Sequence, residues 1–68
     1  MATKSQWVNK IRQFAAEKKV SLLPGHINEL GHYYEDNQNV EAAFDLLRKR
    51  SGYKLEDSDY RKLKAILR

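Results

Sequence analysis

Cysteine is absent from this sequence, whose 68 residues include a single proline and only three glycines. Without cysteine, neither a disulfide framework nor a thiolate metal site can support the fold. The glycines lie too far apart to form a phosphate-binding loop. A chain of this length makes one domain, residues 1–68, and buries only about 60% of its unfolded surface. Little room therefore remains for an enclosed active site.

Long apolar stretches are also missing. No run approaches the roughly 18 to 20 apolar residues of a membrane span, and the N-terminal MATKSQWVNK lacks the hydrophobic stretch of a secretion signal. A chain without cysteine is in keeping with an intracellular environment. The sequence therefore predicts a soluble intracellular protein that does not enter membranes. It leaves the compartment, the oligomeric state and the completeness of the chain open.

Charge is abundant but unevenly distributed. The net charge is +4 and the isoelectric point is about 9.5. Residues 1–25 carry five lysines or arginines and one acid, residues 26–47 carry five acids and no lysine or arginine, and residues 48–68 carry eight cations and three acids. This order has two interpretations, which stay open here. The acidic centre neutralises the basic ends within the fold, or a dipolar surface steers a charged partner.

Apolar residues recur at helical spacing in four segments, and strand-like alternation is absent. Capping residues support the boundaries, because a Thr3–Gln6 capping box opens the first helix, Asn39 precedes the third, and Gly52 ends it. The first helix is expected to end at about residue 19. The second and fourth are expected at about 24–36 and 57–68. The predicted fold class is all-α, a compact bundle of four short helices with a three-helix core and an added C-terminal helix.

The same spacing predicts which face of each helix is buried. An interior glycine costs a helix about 0.5–1 kcal/mol relative to alanine, so Gly31 predicts a close crossing by another helix. The expected core consists of Trp7, Val8, Ile11, Phe14, Ala15, Ile27, Leu30, Tyr34, Val40, Ala43, Phe44, Leu47, Tyr60, Leu63, Ile66 and Leu67.

Groups that could carry catalysis are scarce. The four serines stand where helix caps and turns favour them. Glu29 and His32 have the Glu-x-x-His spacing of di-iron bundles, but those sites need two such motifs and two further glutamates. His26 and His32 lie about 240° apart around a helix, so they do not chelate one ion together. The sequence predicts no enzyme activity, no metal site and no cofactor.

The most basic segment is RKRSGYK, residues 48–54. Its three consecutive cations spread over about 200° of a helix and occupy its last turn, where they stabilise the helix dipole. Arg61, Lys64 and Arg68 instead share one side of the fourth helix, at the spacing i, i+3, i+7. They form a better electrostatic footprint for phosphates or an acidic protein. The predicted basic surface is Arg48, Lys54, Arg61, Lys64 and Arg68.

Apolar and aromatic residues offer a second kind of contact surface. Leu46 lies off the buried stripe of the third helix. With Leu22 and Leu23 of the first connection, it forms a candidate apolar patch for a partner. The alternative for Leu46 is packing beneath the fourth helix. Three aromatic side chains are candidates for stacking on unpaired bases, namely Tyr33, Tyr53 and Trp7. The alternative for aromatic residues at helical spacing is packing in the core.

The segment NVEAAFDLL, residues 39–47, resembles the opening of the third helix in ubiquitin-associated (UBA) domains and the related CUE domains. LLP at residues 22–24 is similar to the Met-Phe-Pro of CUE loops, and INELGHYYEDN takes the place of the intervening helix. The resemblance, over residues 22–47, implies a three-helix bundle that binds ubiquitin or another polypeptide through the first loop and the end of the third helix. The contact surface that it implies is Leu22, Leu23, Leu46 and Leu47.

These features predict a non-enzymatic helical interaction module whose partner is a polypeptide. The alternative is a small basic nucleic-acid-binding protein that uses the cationic stripe on its last helix. Phosphate contacts weaken steeply with added salt and apolar contacts do not, so the two functions are experimentally distinct.

Overall fold

Four α-helices make up the fold: α1 (Lys4–Glu17), α2 (Pro24–Glu35), α3 (Val40–Arg50) and α4 (Asp57–Leu67). The computed structural model describes residues 2–68, and no strand occurs in that range. α1 packs against α2 and α4, and α3 packs against the same two helices, so the helices close into a ring. The predicted all-α bundle of four short helices is confirmed.

Side chains cap the helix starts as the sequence indicated. The Thr3 Oγ1 accepts the Gln6 backbone N–H at 3.2 Å, and the Gln6 Oε1 accepts the Thr3 N–H at 3.0 Å. These two bonds complete the predicted capping box. The Asn39 Oδ1 accepts the Ala42 N–H at 3.0 Å at the start of α3. Beyond the end of α3, Gly52 takes a left-handed φ of 73°, as glycine commonly does after a helix.

One hydrophobic core fills the ring, and every helix contributes to it. Leu63 of α4 is fully buried, so α4 forms one wall of this core. Ile66, which the helical pattern assigned to the core, is 41% exposed and lies at the edge of the buried face of α4. The large side chains without any exposed surface are Trp7, Ile11, Leu30, Leu47 and Leu63.

Trp7 joins α1 to α2 through an aromatic contact. Its ring centroid lies 5.6 Å from that of Tyr34, with 63° between the ring planes, an edge-on arrangement that aromatic pairs favour. The Tyr34 hydroxyl donates a 2.8 Å hydrogen bond to the Ala2 carbonyl. The Trp7 indole N–H has no hydrogen-bond partner within residues 2–68. Packing therefore holds this side chain in place.

Gly31 lies where α2 meets the first residue of α1. A Cβ atom at this position would lie 2.8 Å from the Lys4 Cε. The Lys4 Nζ continues to the Glu35 Oε1 at 2.7 Å. The predicted close approach is present, but the approaching group is a flexible side chain and not the backbone of another helix.

The end of α1 holds a residue that is unusual for its backbone conformation. The Val20 N–H donates to the Ala15 carbonyl at 2.8 Å, and the Lys19 N–H donates to the Ala16 carbonyl at 3.1 Å. These two bonds form the Schellman motif of a helix end. Lys19 takes the left-handed position of this motif, with φ 58°, where glycine is usual. A non-glycine residue costs about 1–2 kcal/mol there, and a cation at a helix C-terminus returns only about 0.3–1 kcal/mol. Lys19 therefore lowers the stability of the fold.

We expect Lys19→Gly to raise the free energy of unfolding by about 0.5–1 kcal/mol, because relief of the strained φ outweighs the extra entropy of glycine in the unfolded chain. Urea unfolding followed by the fluorescence of Trp7, the single tryptophan, measures the change. Lys19→Ala removes the same charge but keeps a Cβ atom. A gain from Lys19→Ala as large as that from Lys19→Gly would contradict the strain explanation.

A largely buried carboxylate joins the end of α1 to the start of α4. The Asp59 Oδ1 lies 2.8 Å from the Lys18 Nζ, and the Asp59 Oδ2 accepts the Glu56 backbone N–H at 3.0 Å. Asp59 thus caps α4 and anchors it to α1 with one side chain. The Glu56 N–H, followed by the Lys18 ammonium, lowers the pKa of Asp59 below its usual range.

We expect Asp59→Asn to lower the free energy of unfolding by about 1.5 kcal/mol at neutral pH, because a charge-assisted contact is lost. Since the pKa of Asp59 is lower in the folded state, the advantage of the wild type is complete above the unfolded pKa. It disappears as the pH falls through the folded pKa. Urea unfolding between neutral and strongly acidic pH measures both proteins. Asp57→Asn, an exposed acid in the same turn, is the control, and an advantage of Asp59 that persists in strong acid would refute the explanation.

Candidate binding surfaces

The leucines that the sequence assigned to a contact surface differ in exposure. Leu23 is 55% exposed, whereas Leu22 and Leu46 are half-buried and pack against the core. Leu47 is fully buried, and a side chain without exposed surface cannot touch a partner in this fold. Leu47 therefore belongs to the core, as the helical spacing predicted, and its assignment to the contact surface by the resemblance is corrected. We call the remaining three, Leu22, Leu23 and Leu46, the leucine patch.

One hydrogen bond brings α3 to the connection that carries Leu22 and Leu23. The Arg50 Nε donates to the Ser21 carbonyl at 3.1 Å. Arg50 lies one helical turn after Leu46 on the same side of α3, and Ser21 directly precedes Leu22 in the chain. The two segments that carry the leucine patch are therefore in contact through Arg50, which lies at the edge of the patch.

The backbone around Leu23 explains why its side chain faces solvent. Pro24 begins α2 and disfavours helical dihedral angles in the residue before it, so Leu23 is extended, with φ −87° and ψ 162°. The Leu23 N–H donates to the His26 Nδ1 at 3.1 Å and holds this conformation. Successive side chains of an extended segment point in opposite directions, which leaves Leu22 toward the core and Leu23 toward solvent.

Arg61 and Lys64 are exposed on one side of α4, Arg68 is exposed directly after its last residue, and we call the three residues the α4 stripe. Within residues 2–68, none of them forms a salt bridge. The Lys64 Nζ lies 5.3 Å from the centroid of the Tyr60 ring, within reach of a cation–π contact. Asp57 lies one turn before Arg61 on the same side and reduces the positive charge there. The free charge of the α4 stripe is therefore greatest toward its C-terminal end.

Arg48, which the sequence also assigned to the basic surface, is engaged within α3. Its Nη2 lies 3.9 Å from the Asp45 Oδ1, and its guanidinium lies 5.8 Å from the centroid of the Tyr53 ring. The Lys49 Nζ shares the same carboxylate at 3.2 Å. The hydrogen bond that Lys49 donates to Asp45, followed by the charge of that carboxylate, raises the pKa of Lys49. One carboxylate thus offsets one of the three positive charges at the end of α3.

A basic cleft of about 520 Å³ lies where the ends of α1 and α3 meet the connection to α4. Four cations surround it, two from residues 1–25 and two from residues 48–68. Lys18 is paired with Asp59, and Glu56 adds a second carboxylate, so a positive charge remains. The lining residues are Lys18, Lys19, Arg50, Ser51, Lys54, Leu55, Glu56 and Asp59.

Sequence reasoning found only one of these four cations, Lys54, because the two basic segments are distant in the chain. The short connections between helices could have predicted that these two basic segments meet. Short connections make neighbouring helices antiparallel, so the first and third helices end on the same side of a bundle. Lysines at the end of one and arginines at the end of the other are then brought together.

The three aromatic candidates for base stacking occupy different environments. Trp7 is fully buried, which confirms its assignment to the core and excludes it from stacking. Tyr33 is half-buried, its hydroxyl lies 3.5 Å from the Glu29 Oε2, and burial followed by the Glu29 charge raises its pKa. Tyr53 is 65% exposed. Only Tyr53 presents a largely free ring among these three.

Within residues 2–68, no group of three or more His, Asp or Glu side chains is arranged to hold a metal ion. None of the four helices described has the length and apolar character that crossing a membrane requires.

Comparisons with known proteins identify no relative of this chain. No protein-family model matches the chain, and no curated protein or solved structure is significantly similar to it. The resemblance to UBA and CUE domains is thus tested by no relative and stays a prediction, and the geometry of the surfaces carries the functional argument.

Proposed function

We propose that this chain is a non-enzymatic helical module that binds a polypeptide through the leucine patch. The observation that carries the proposal is the 55% exposure of Leu23 beside two leucines that are already packed. A single exposed leucine is ordinary on a protein surface. Leu22 and Leu46 each keep part of their surface exposed, and the Arg50–Ser21 bond joins the two segments that carry the three leucines.

Preorganisation favours binding at this patch. Leu22 and Leu46 are held by the core, and Leu23 is held by the proline after it and by the His26 hydrogen bond. A partner that covers the patch therefore orders few side chains on this protein, which reduces the entropy cost of association. Arg50 at the edge can contact a polar rim of the partner. The UBA-like pattern at residues 22–47 points to the same surface.

We expect Leu23→Asp to weaken polypeptide binding at least tenfold, because it removes the exposed apolar anchor and places a charge in the contact. Peptides selected from a random display library on the immobilised protein serve as the probe, and fluorescence anisotropy measures their affinity. Leu23 is the residue of choice, since Leu46 also packs against the core and its replacement would disturb folding.

Ile66→Asp is the matched control for Leu23→Asp. Ile66 is 41% exposed on α4, outside the leucine patch, and the substitution makes the same change of chemistry. Peptides that bind the wild type and Ile66→Asp equally but not Leu23→Asp would support the proposal. A failure to select any peptide, or equal losses in both variants, would refute it.

Nucleic-acid binding through the α4 stripe is the second candidate function. The observation that favours it is the exposure of Arg61, Lys64 and Arg68 without a carboxylate partner in the described chain. Cations with this spacing can contact successive phosphates along one side of a helix. Such binding would be largely electrostatic and would show little preference for sequence.

We expect Lys64→Gln to lower the slope of log affinity against log salt by about 0.9 on duplex DNA, the value for one lost phosphate contact. Arg12→Gln makes the same charge change on α1, outside the stripe, and should leave the slope nearly unchanged. A salt titration with a labelled duplex measures all three proteins. Equal slopes for the wild type and Lys64→Gln would exclude Lys64 from the contact.

A further inference from the structure

We propose that His26 is a pH-sensitive switch for the leucine patch, in which protonation of the imidazole releases the extended conformation of Leu23. The inference rests on the proposed function, because it concerns the regulation of the same surface. It arises from the hydrogen bond between the Leu23 N–H and the His26 Nδ1, which is 3.1 Å long. His26 is not one of the three leucines of the patch, so binding and its regulation are carried by different residues.

Three of the four helices begin with the same kind of hydrogen bond. The backbone N–H of the N-cap residue donates to the side chain of the third helical residue, which is Gln6 in α1, His26 in α2 and Asp59 in α4. Glutamine does not titrate, and the Glu56 N–H followed by the Lys18 ammonium lowers the pKa of Asp59. Histidine changes its charge between about pH 5 and 8. Among these three helix starts, that of α2 is therefore the one that responds to pH in this interval.

The bond at the start of α2 requires a neutral imidazole. The Leu23 N–H can only donate, so the His26 Nδ1 carries a free lone pair and the proton of the neutral ring lies on Nε2. Protonation places an N–H on Nδ1 as well, and an imidazolium has no acceptor. The new positive charge also lies near the positive end of the α2 dipole. The bond is therefore complete above the titration range of the imidazole and is lost as the pH falls through it.

The start of α2 has no second side-chain cap. Its N-cap residue, Leu23, has no polar side-chain atom and makes no cap hydrogen bond. In α1, by contrast, the N-cap Thr3 also accepts the Gln6 N–H. Loss of the His26 bond leaves Leu23 with the steric constraint of Pro24 but with no partner for its N–H within residues 2–68. The exposed leucine then samples more conformations, and a partner has to order it on binding at a cost in entropy.

Charged side chains from each neighbouring element face this part of α2. Glu29 lies one turn after His26 on α2 itself, and Arg12 of α1 lines a groove with α2. Arg50 of α3 reaches the connection before α2, and that connection also carries Lys19. None of the four forms a salt bridge with the imidazole in the described chain. Side chains of these types keep their charges between about pH 5.5 and 8, so a change in that interval reports on a histidine.

NMR spectra that correlate ¹H with ¹⁵N, recorded on the full chain between about pH 8 and 5.5, test the switch. We expect the Leu23 amide resonance to shift with the same midpoint as the His26 ring, because protonation removes the bond. The Glu56 amide, which is held by Asp59, is the internal control and should not follow that midpoint. His32 is the other histidine of the chain, and His32→Gln should leave the Leu23 titration unchanged.

Two substitutions of His26 hold the switch in its two states. Glutamine accepts the equivalent N–H in α1 at 3.0 Å and does not titrate, so His26→Gln keeps the bond over the whole pH range. His26→Ala has no acceptor and reproduces the released state at every pH. The Leu23 amide should therefore be insensitive to pH in both variants. The dispersion of the same NMR spectra shows that each variant is folded.

Peptide affinity measures the consequence for binding. The probes are peptides without acidic residues or histidine and with blocked termini, taken from those selected on the immobilised protein, so that the peptide itself does not titrate. The wild type should bind at least threefold more weakly at pH 5.5 than at pH 8, the scale of a lost helix cap. His26→Gln should bind equally at both pH values. His26→Ala should bind at both with the lower affinity of the acidic wild type.

Every other outcome overturns a defined part of the proposal. A Leu23 amide that does not titrate, or that titrates equally in His26→Gln, would overturn the switch even where peptides bind. A Leu23 titration without a change in peptide affinity would overturn its role in regulation. Failure to bind any peptide at pH 8 would overturn the leucine patch and its regulation together, whereas the Leu23 titration decides on the switch in the free protein. The two failures are thus distinguishable.

Discussion

The rest of this structure depends on one small core, to which each of the four helices contributes at least one fully buried large side chain. α2, α3 and α4 each supply one such residue, and α1 supplies two, Trp7 and Ile11. A chain of this size has few apolar contacts to lose. Exposure of any one of these side chains would cost a large part of the stability. Each helix therefore has one face committed to folding, and function is left to the outer faces, the connections and the helix ends.

This constraint explains how the fold departs from the surface that the UBA and CUE resemblance implies. In a three-helix domain the end of the third helix can face a partner. Here α4 packs against α3, where Tyr60 lies 5.2 Å from Phe44 between ring centroids, and Leu47 is fully buried. Of the leucines that the resemblance assigned to contact, Leu22, Leu23 and Leu46 keep exposed surface.

The sequence predicted the helices well because their signals are local. The Thr3 capping box, the Asn39 cap and the Gly52 stop each involve residues within one turn, and each is present in the structure. Ile66 was misassigned because helical spacing defines a face but not how far a neighbouring helix covers it. For Leu47 the helical spacing predicted burial correctly, and only the UBA and CUE resemblance placed it on a contact surface. The basic cleft and the left-handed Lys19 depend on how separate helix ends meet, which no local pattern encodes.

Two adjacent lysines show why net charge alone does not identify a binding surface. The Lys18 ammonium forms a salt bridge with Asp59, and this contact holds the start of α4 against the end of α1. Lys19 has a strained backbone and an exposed, unpaired side chain. The first lysine contributes to stability, and the second reduces it. Composition counts the two lysines equally, but only the second leaves a free positive charge at the cleft. The total charge of +4 therefore does not show which cations are free, whereas the salt bridges do.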